Sequence, residues 1–183
     1  QRDDDTDYTI LGLHLLETRG PDFTSAQVGE EWLLRLPYMK VYTAERAAYR
    51  NLVNGIGPPE TAFCKNPYRE WIGAQIRADA FGYVAPGRPE TAAELAFRDA
   101  ALSHAANGIY GGMFFAALIA ACLVTDDLQE AIDAALAEIP ANCRLAAAVA
   151  DVRAWCCEDA GWEATCDRIM EKYGHYHPVH TIN

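Results

Sequence analysis

The chain has 183 residues, 51% of them apolar, with 26 Asp and Glu against 15 Lys and Arg and a net charge of −11. Such an acidic surface repels a phosphate backbone, which excludes a general nucleic-acid binder. A chain of this length and apolar content builds a core without a disulfide or metal staple. The six cysteines, Cys64, Cys122, Cys143, Cys156, Cys157 and Cys166, show no C-x-x-C spacing. Most sit in apolar helical text, where reduced thiols pack as small hydrophobes, so the compartment reads as cytoplasmic. The opening Gln1 to Asp5 has no apolar region of a secretory signal. Because position 1 is not Met and the chain stops at His180 to Asn183 without a tail-like composition, both ends read as cuts.

Helical periodicity begins with Ile10, Leu11, Leu13, Leu15 and Leu16, in a segment that Thr6 can cap and Gly20-Pro21 ends. Thr24 and Gln27 form a capping-box pattern ahead of Trp32 to Leu36, and Pro37 stops that helix. Thr43 opens a third helix that ends near Gly55. Gly55 to Arg69 is rich in Gly, Pro and Asn and reads as a functional loop. Gly82 to Pro89 has the same character. Pro89 suits the entry of a helix through about His104, followed by an apolar helix to Val124. The run from Gly108 to Val124 falls short of the ~20 apolar residues of a membrane span and reads as a buried core helix. Further helices run from Asp126 to Ile139, around Arg144 to Cys157, and from Trp162 to Tyr173. Period-two alternation is never sustained. The expectation is an all-α, single-domain orthogonal bundle over residues 1–183.

Asp3, Asp4, Asp5 and Asp7 put four carboxylates at the start of the first helix. The helix dipole offsets only about 0.3–1 kcal/mol per charge, so mutual repulsion calls for a cation. Oxygen-only ligands favour Mg²⁺, Mn²⁺ or Ca²⁺ over zinc. Adjacent aspartates point in different directions and can serve two neighbouring ions. A solvated acidic cap is the plain alternative. His175, His177 and His180 do not form a second metal set, because Pro178 interrupts them and the spacing fits no zinc knuckle.

Three further motifs give the acidic cluster its context. Arg98-Asp99-Ala100-Ala101-Leu102-Ser103-His104 is followed by Asn107-Gly108-Ile109-Tyr110-Gly111-Gly112-Met113-Phe114. Taken with Asp4-Asp5-Thr6 and Gly73-Ala74-Gln75-Ile76-Arg77, this order resembles the ADP-ribosylglycohydrolase family across essentially the whole chain. The resemblance implies an all-helical fold and hydrolysis of the N- or O-glycosidic bond of an ADP-ribose adduct. It also implies a centre of two Mg²⁺ or Mn²⁺ ions, with ADP-ribose or an ADP-ribosylated substrate as partner. The family's (S/T)-D-D-T segment matches Asp4, Asp5 and Thr6, with Asp3 in place of the usual Ser or Thr, so Asp3, Asp4 and Asp5 become the metal candidates. The substrate candidates are Gly73, Ala74, Gln75, Arg77, His104, Asn107, Gly108, Tyr110 and Gly111. On a continuous helix His104 and Asn107 would share a face. The family's functional glutamate and its remaining metal ligands would lie before Gln1 and after Asn183, which puts the general base outside this chain.

Sequence alone also leaves plain readings beside these. Without the resemblance, a buried histidine bonded to a carbonyl, and glycines that allow close helix approach, are the favoured explanation of His104 and Gly108 to Gly112. Asp3, Asp4 and Asp7 spell the D-D-x-x-D of prenyl-diphosphate enzymes, but Asp126-Asp127 lacks the third aspartate of their second motif. A non-catalytic relative is the other alternative, since the family includes a lens crystallin.

Overall fold

The computed structural model describes residues 3–183, and among them the fold is all-α. Ten α-helices follow in chain order: α1 (Asp4–Arg19), α2 (Ser25–Arg35), α3 (Thr43–Val53), α4 (Glu60–Phe63), α5 (Asp79–Tyr83), α6 (Pro89–Ala100), α7 (Asn107–Cys122), α8 (Leu128–Ala137), α9 (Arg144–Glu158) and α10 (Trp162–Tyr173). The only β-type pairing among the described residues is a single antiparallel bridge between Trp71 and His180. Among the described residues no helix is long and apolar enough to cross a membrane.

The helix starts follow from local chemistry. Asp3, not Thr6, caps α1: its carboxylate accepts the Asp5 N–H at 3.0 Å. An extended aspartate one residue ahead of the helix satisfies an amide that Thr6, already inside the first turn, cannot reach. Thr24 and Gln27 close the reciprocal capping box on α2 as the spacing predicts. Asp127 caps α8 through the amides of Gln129 and Glu130.

Helix α7 is the axle of the structure. It carries no charged residue, and its small side chains, from Gly108 and Gly111 to Ala117 and Ala121, are buried. Alanine and glycine let neighbouring backbones come close: a Cβ on Gly82 of α5 would stand 2.6 Å from Ile119 Cβ and 2.8 Å from the Ala116 carbonyl. On one side of this axle lies a cluster of Tyr8, Leu11 and Leu15 from α1, Trp32 from α2, Phe81 from α5 and Leu95 from α6. On the other lies a cluster formed by Ile139, Leu145, Trp155, Tyr173 and Ile182.

Three further expectations need correction. Helix α6 ends at Ala100, so His104 is not helical and shares no helix face with Asn107. The Ala105 N–H turns away to the Arg69 carbonyl at 2.9 Å, and Ala106 takes φ 47°, which breaks the helix before α7 begins. The stretch from Gly55 to Arg69 contains α4 and is tied down by amide side chains. Asn51 Nδ2 donates to the Thr61 and Cys64 carbonyls, and Asn66 Nδ2 to the Ser103 carbonyl. The thiols are all free, but Cys122, Cys156, Cys157 and Cys166 are exposed rather than packed. Helices α9 and α10 turn Trp155 and Tyr173 inward and leave their cysteines outside.

Replacing Gly82 with alanine forces α5 away from the backbone of α7. Thermal unfolding followed by circular dichroism should show Gly82→Ala destabilised by about 1–3 kcal/mol. Gly57→Ala, whose Cβ meets nothing within 4 Å, should match the parent; equal melting of all three would refute the close-approach account.

Candidate active site

The N-terminus of α1 faces the start of α3 and a short 3₁₀ turn, Ile72–Ala74, across a cavity of about 270 Å³. Asp4 and Asp5 line one side. Tyr42, Thr43 and Glu45 line a second, and Trp71, Ile72, Gly73, Ile76 and Val179 complete the wall. Asp3, Asp4 and Asp5 each offer a carboxylate oxygen within 4.8 Å of the others, the one such cluster of metal-capable side chains found among the described residues. Partial burial, then the neighbouring charges of Asp4, Asp3 and Asp79, push the Asp5 carboxyl above its ordinary range. Crowded carboxylates of this kind suit a hard divalent cation better than zinc, which prefers nitrogen and sulfur.

Directly behind the cavity lies a buried charge network centred on Arg77. Its Nε donates to Asp99 Oδ2, its Nη1 to Glu45 Oε1 at 2.8 Å and the Gly73 carbonyl at 3.1 Å, and its Nη2 to Ser103 Oγ at 2.9 Å and the Asp99 carbonyl at 3.3 Å. The guanidinium also lies over the rings of Tyr8 and Trp32, 5.6 and 5.1 Å from their centroids. All five N–H donors are therefore committed inside the protein. One cation faces two carboxylates, and burial raises both the Glu45 and the Asp99 carboxyl despite the pull of Arg77. His104 packs against the same network, its Nδ1 2.8 Å from Ser103 Oγ and its Nε2 3.9 Å from Glu45 Oε1. Burial, reinforced by the Arg77 charge, holds its pKa well below the usual range, so the ring is neutral.

The residues singled out in the sequence fall into three places. Asp4, Asp5 and Gly73 meet across the cavity, with Asp3 at its edge. Ala74, Arg77 and His104 lie buried, and Gln75 is half-buried. Asn107, Gly108, Tyr110 and Gly111 build the support for the cavity wall. Asn107 holds Glu70 through its side-chain amide at 2.9 Å and accepts the Leu145 N–H at 3.1 Å. A Cβ on Gly108 would stand 2.4 Å from the Arg69 carbonyl, and one on Gly111 2.7 Å from Thr181. Tyr110 packs into the Ile139 cluster. The histidines near the C-terminus serve as stacking partners: His177 lies 4.2 Å above Trp71, and His175 and His180 flank Tyr176.

Tyr42, Glu45, Trp71, Ile72 and Val179 were not singled out in the sequence, Thr43 was read only as a helix start, and Ile76 only as part of the Gly73–Arg77 motif. Glu45 carries no local signature there, since an acid in the first turn of a helix is ordinary. Only the fold shows it to be buried, with Gly73 pressed against it: a Cβ at position 73 would lie 1.8 Å from Glu45 Oε1. The tie to Arg77 prevents Glu45 from yielding. Gly73→Ala is accordingly expected to lower stability by about 1–3 kcal/mol in urea unfolding, and parent-like stability would contradict this packing.

His104 sets a pH dependence. The unfolded imidazole takes up a proton near pH 6.5, whereas the folded ring stays neutral to lower pH, so stability is lost as pH falls below about 6.5. The loss approaches about 1.4 kcal/mol per pH unit. The raised carboxyls of Glu45 and Asp99 act in the opposite sense and are common to the variant. Denaturant titrations of His104→Gln should show a shallower loss of stability from pH 7 to pH 5.5 than the parent; parallel curves would disprove a neutral buried ring.

No curated protein and no solved structure matches this chain. The sequence profile of ADP-ribosylglycohydrolase matches residues 1–182, nearly the entire chain. Together with the all-α architecture and the acidic cavity at the start of α1, the match means that the chain belongs to the ADP-ribosylglycohydrolase family.

Proposed function

We propose that the protein hydrolyses the N- or O-glycosidic bond of ADP-ribose adducts at a centre of two Mg²⁺ or Mn²⁺ ions to which Asp3, Asp4 and Asp5 contribute ligands. The observation that carries this reading is the cavity in which Asp4 and Asp5 face the Ile72–Ala74 turn, in a member of this family. The donor set fits the ions: three carboxylates come together without thiolate or imidazole. Asp3 spends one oxygen on the Asp5 N–H and keeps the other. Bound divalent ions supply charge stabilisation and an oriented water.

The chain's own residues supply the rest. Gly73, without a side chain, leaves the space in which the Glu45 carboxylate stands against the cavity wall. Trp71, Ile72, Ile76 and Val179 give that wall apolar and aromatic surface that excludes bulk water. The carboxylates of Asp4 and Asp5 oppose the positive charge that develops on the sugar ring as a glycosidic bond breaks. Arg77 and His104 act as positioning residues: with no free donor, Arg77 sets Glu45 and the Gly73 carbonyl in place rather than touching a ligand.

The same reading takes residues 1–183 as one helical domain. Its support is the tie between the C-terminal stretch and the cavity wall, where the Ile72 N–H donates to the Val179 carbonyl and the Thr181 N–H to the Glu70 carbonyl. Six unpaired thiols favour a reducing, cytoplasmic compartment.

Calorimetric titration of ADP-ribose, with and without Mg²⁺, tests the proposal. The parent should bind only with the metal, and Asp4→Asn/Asp5→Asn should weaken that binding at least about a hundredfold, near 2.7 kcal/mol. Binding that ignores both the metal and the substitutions would sink it.

A further inference from the structure

We propose that a second cavity, next to the acidic one, is a phosphate-binding subsite built by Arg46, Arg50 and Lys65. It encloses about 390 Å³, and its lining includes Tyr38, Thr43, Arg46, Arg50, Lys65 and Tyr68. Thr43 belongs to both cavities. Tyr68 on this side packs edge-on against Trp71 on the other, at 4.7 Å between ring centroids. The two cavities therefore share a ridge.

The distribution of positive charge points to an anion. The sequence has 15 Lys and Arg, of which Arg2 lies outside the described residues. Of the other fourteen, eight stand within 4.0 Å of a carboxylate: Arg19, Arg35, Arg77, Arg98, Arg144, Arg153, Arg168 and Lys172. The remaining six are Lys40, Arg46, Arg50, Lys65, Arg69 and Arg88, and five of them fall between positions 40 and 69. In a chain of net charge −11, cations left without acids are concentrated in one stretch of sequence, and three of them line this cavity.

The three in the cavity wall are held with donors to spare. Arg46 is fixed by one bond, Nε to the Val41 carbonyl at 2.7 Å, and by the rings of Tyr38 and Tyr42 at 5.8 and 5.4 Å. Both of its terminal nitrogens have no protein acceptor among the described residues. Arg50 uses only Nη2, toward Asn51 Oδ1 and the Cys64 and Lys65 carbonyls. Lys65 is exposed, and its ammonium has no acceptor among the described residues. Preset guanidinium forks beside a mobile ammonium match the several oxygens of a phosphate better than the two of a carboxylate. The tyrosines at the rim add flat surface for a ring attached to that phosphate.

The phosphate can come from two sources: the diphosphate of ADP-ribose itself, or the group to which ADP-ribose is attached. Binding of phosphate stands on the cations alone; its connection to a substrate rests on the hydrolase reading. The test is a titration of inorganic phosphate into the protein in EDTA, at low salt, followed by ³¹P NMR. The parent should bind, and Arg46→Gln and Lys65→Gln should each weaken binding by at least about tenfold. Lys65→Gln removes only an exposed side chain and so guards against a folding defect. No phosphate binding, or equal binding by parent and Lys65→Gln, would overturn the proposal. Repeating the titration with Mg²⁺ and ADP-ribose identifies the source. Displacement of phosphate assigns the subsite to the ADP-ribose diphosphate, and joint occupancy assigns it to the acceptor; either supports the subsite. Phosphate binding without metal-dependent ADP-ribose binding would defeat the hydrolase reading and leave the subsite standing.

Discussion

The fold around the cavity depends on one buried guanidinium. Arg77 joins Glu45 of α3, the Gly73 carbonyl of the 3₁₀ turn, Asp99 of α6 and Ser103 beyond it, while Tyr8 of α1 and Trp32 of α2 cover its faces. Five chain segments are thereby registered against one group. Such an arrangement adds little net stability, because desolvating the charges offsets much of their attraction, but removing one partner leaves a buried charge uncompensated. Lysine could not replace it: a single ammonium lacks the planar set of donors that reaches all these acceptors.

The second constraint is the thinness of α7. Glycines and alanines along this helix let the 69–75 stretch, α5 and α6 pack almost backbone to backbone. That proximity brings Ile72–Ala74 opposite the start of α1, and it explains why Asn107, Gly108 and Gly111 lie behind the cavity wall rather than in it. A glycine-rich motif beside a candidate site can therefore act on a ligand at one remove, through the segment it allows to come close.

Much of the fold was legible in the sequence, because helix periodicity, the Thr24–Gln27 capping box and the prolines after α2 and α8 are local signals. The acidic start of α1 was legible too, since repulsion among adjacent aspartates is written in the text. What could not be read was non-local. The break at Ala101 to Ala106 depends on an amide leaving the helix for the Arg69 carbonyl, and nothing in an alanine-rich run announces that. Arg77 reads as a ligand-facing cation until the fold supplies acceptors for every donor. Glu45, Trp71 and Val179 meet only because α3, the 3₁₀ turn and the C-terminal stretch converge.

The contact between Gly73 and Glu45 also bears on how the chain can change over generations. With 1.8 Å between a would-be Cβ and a carboxylate oxygen, a side chain at 73 is compatible only with a shorter residue at 45. Shortening 45 first removes one of the two acids that neutralise Arg77. Neither single step is open without loss, so the pair drifts together or stays fixed. Among relatives, glycine at this position should accompany glutamate at the other as one inherited unit.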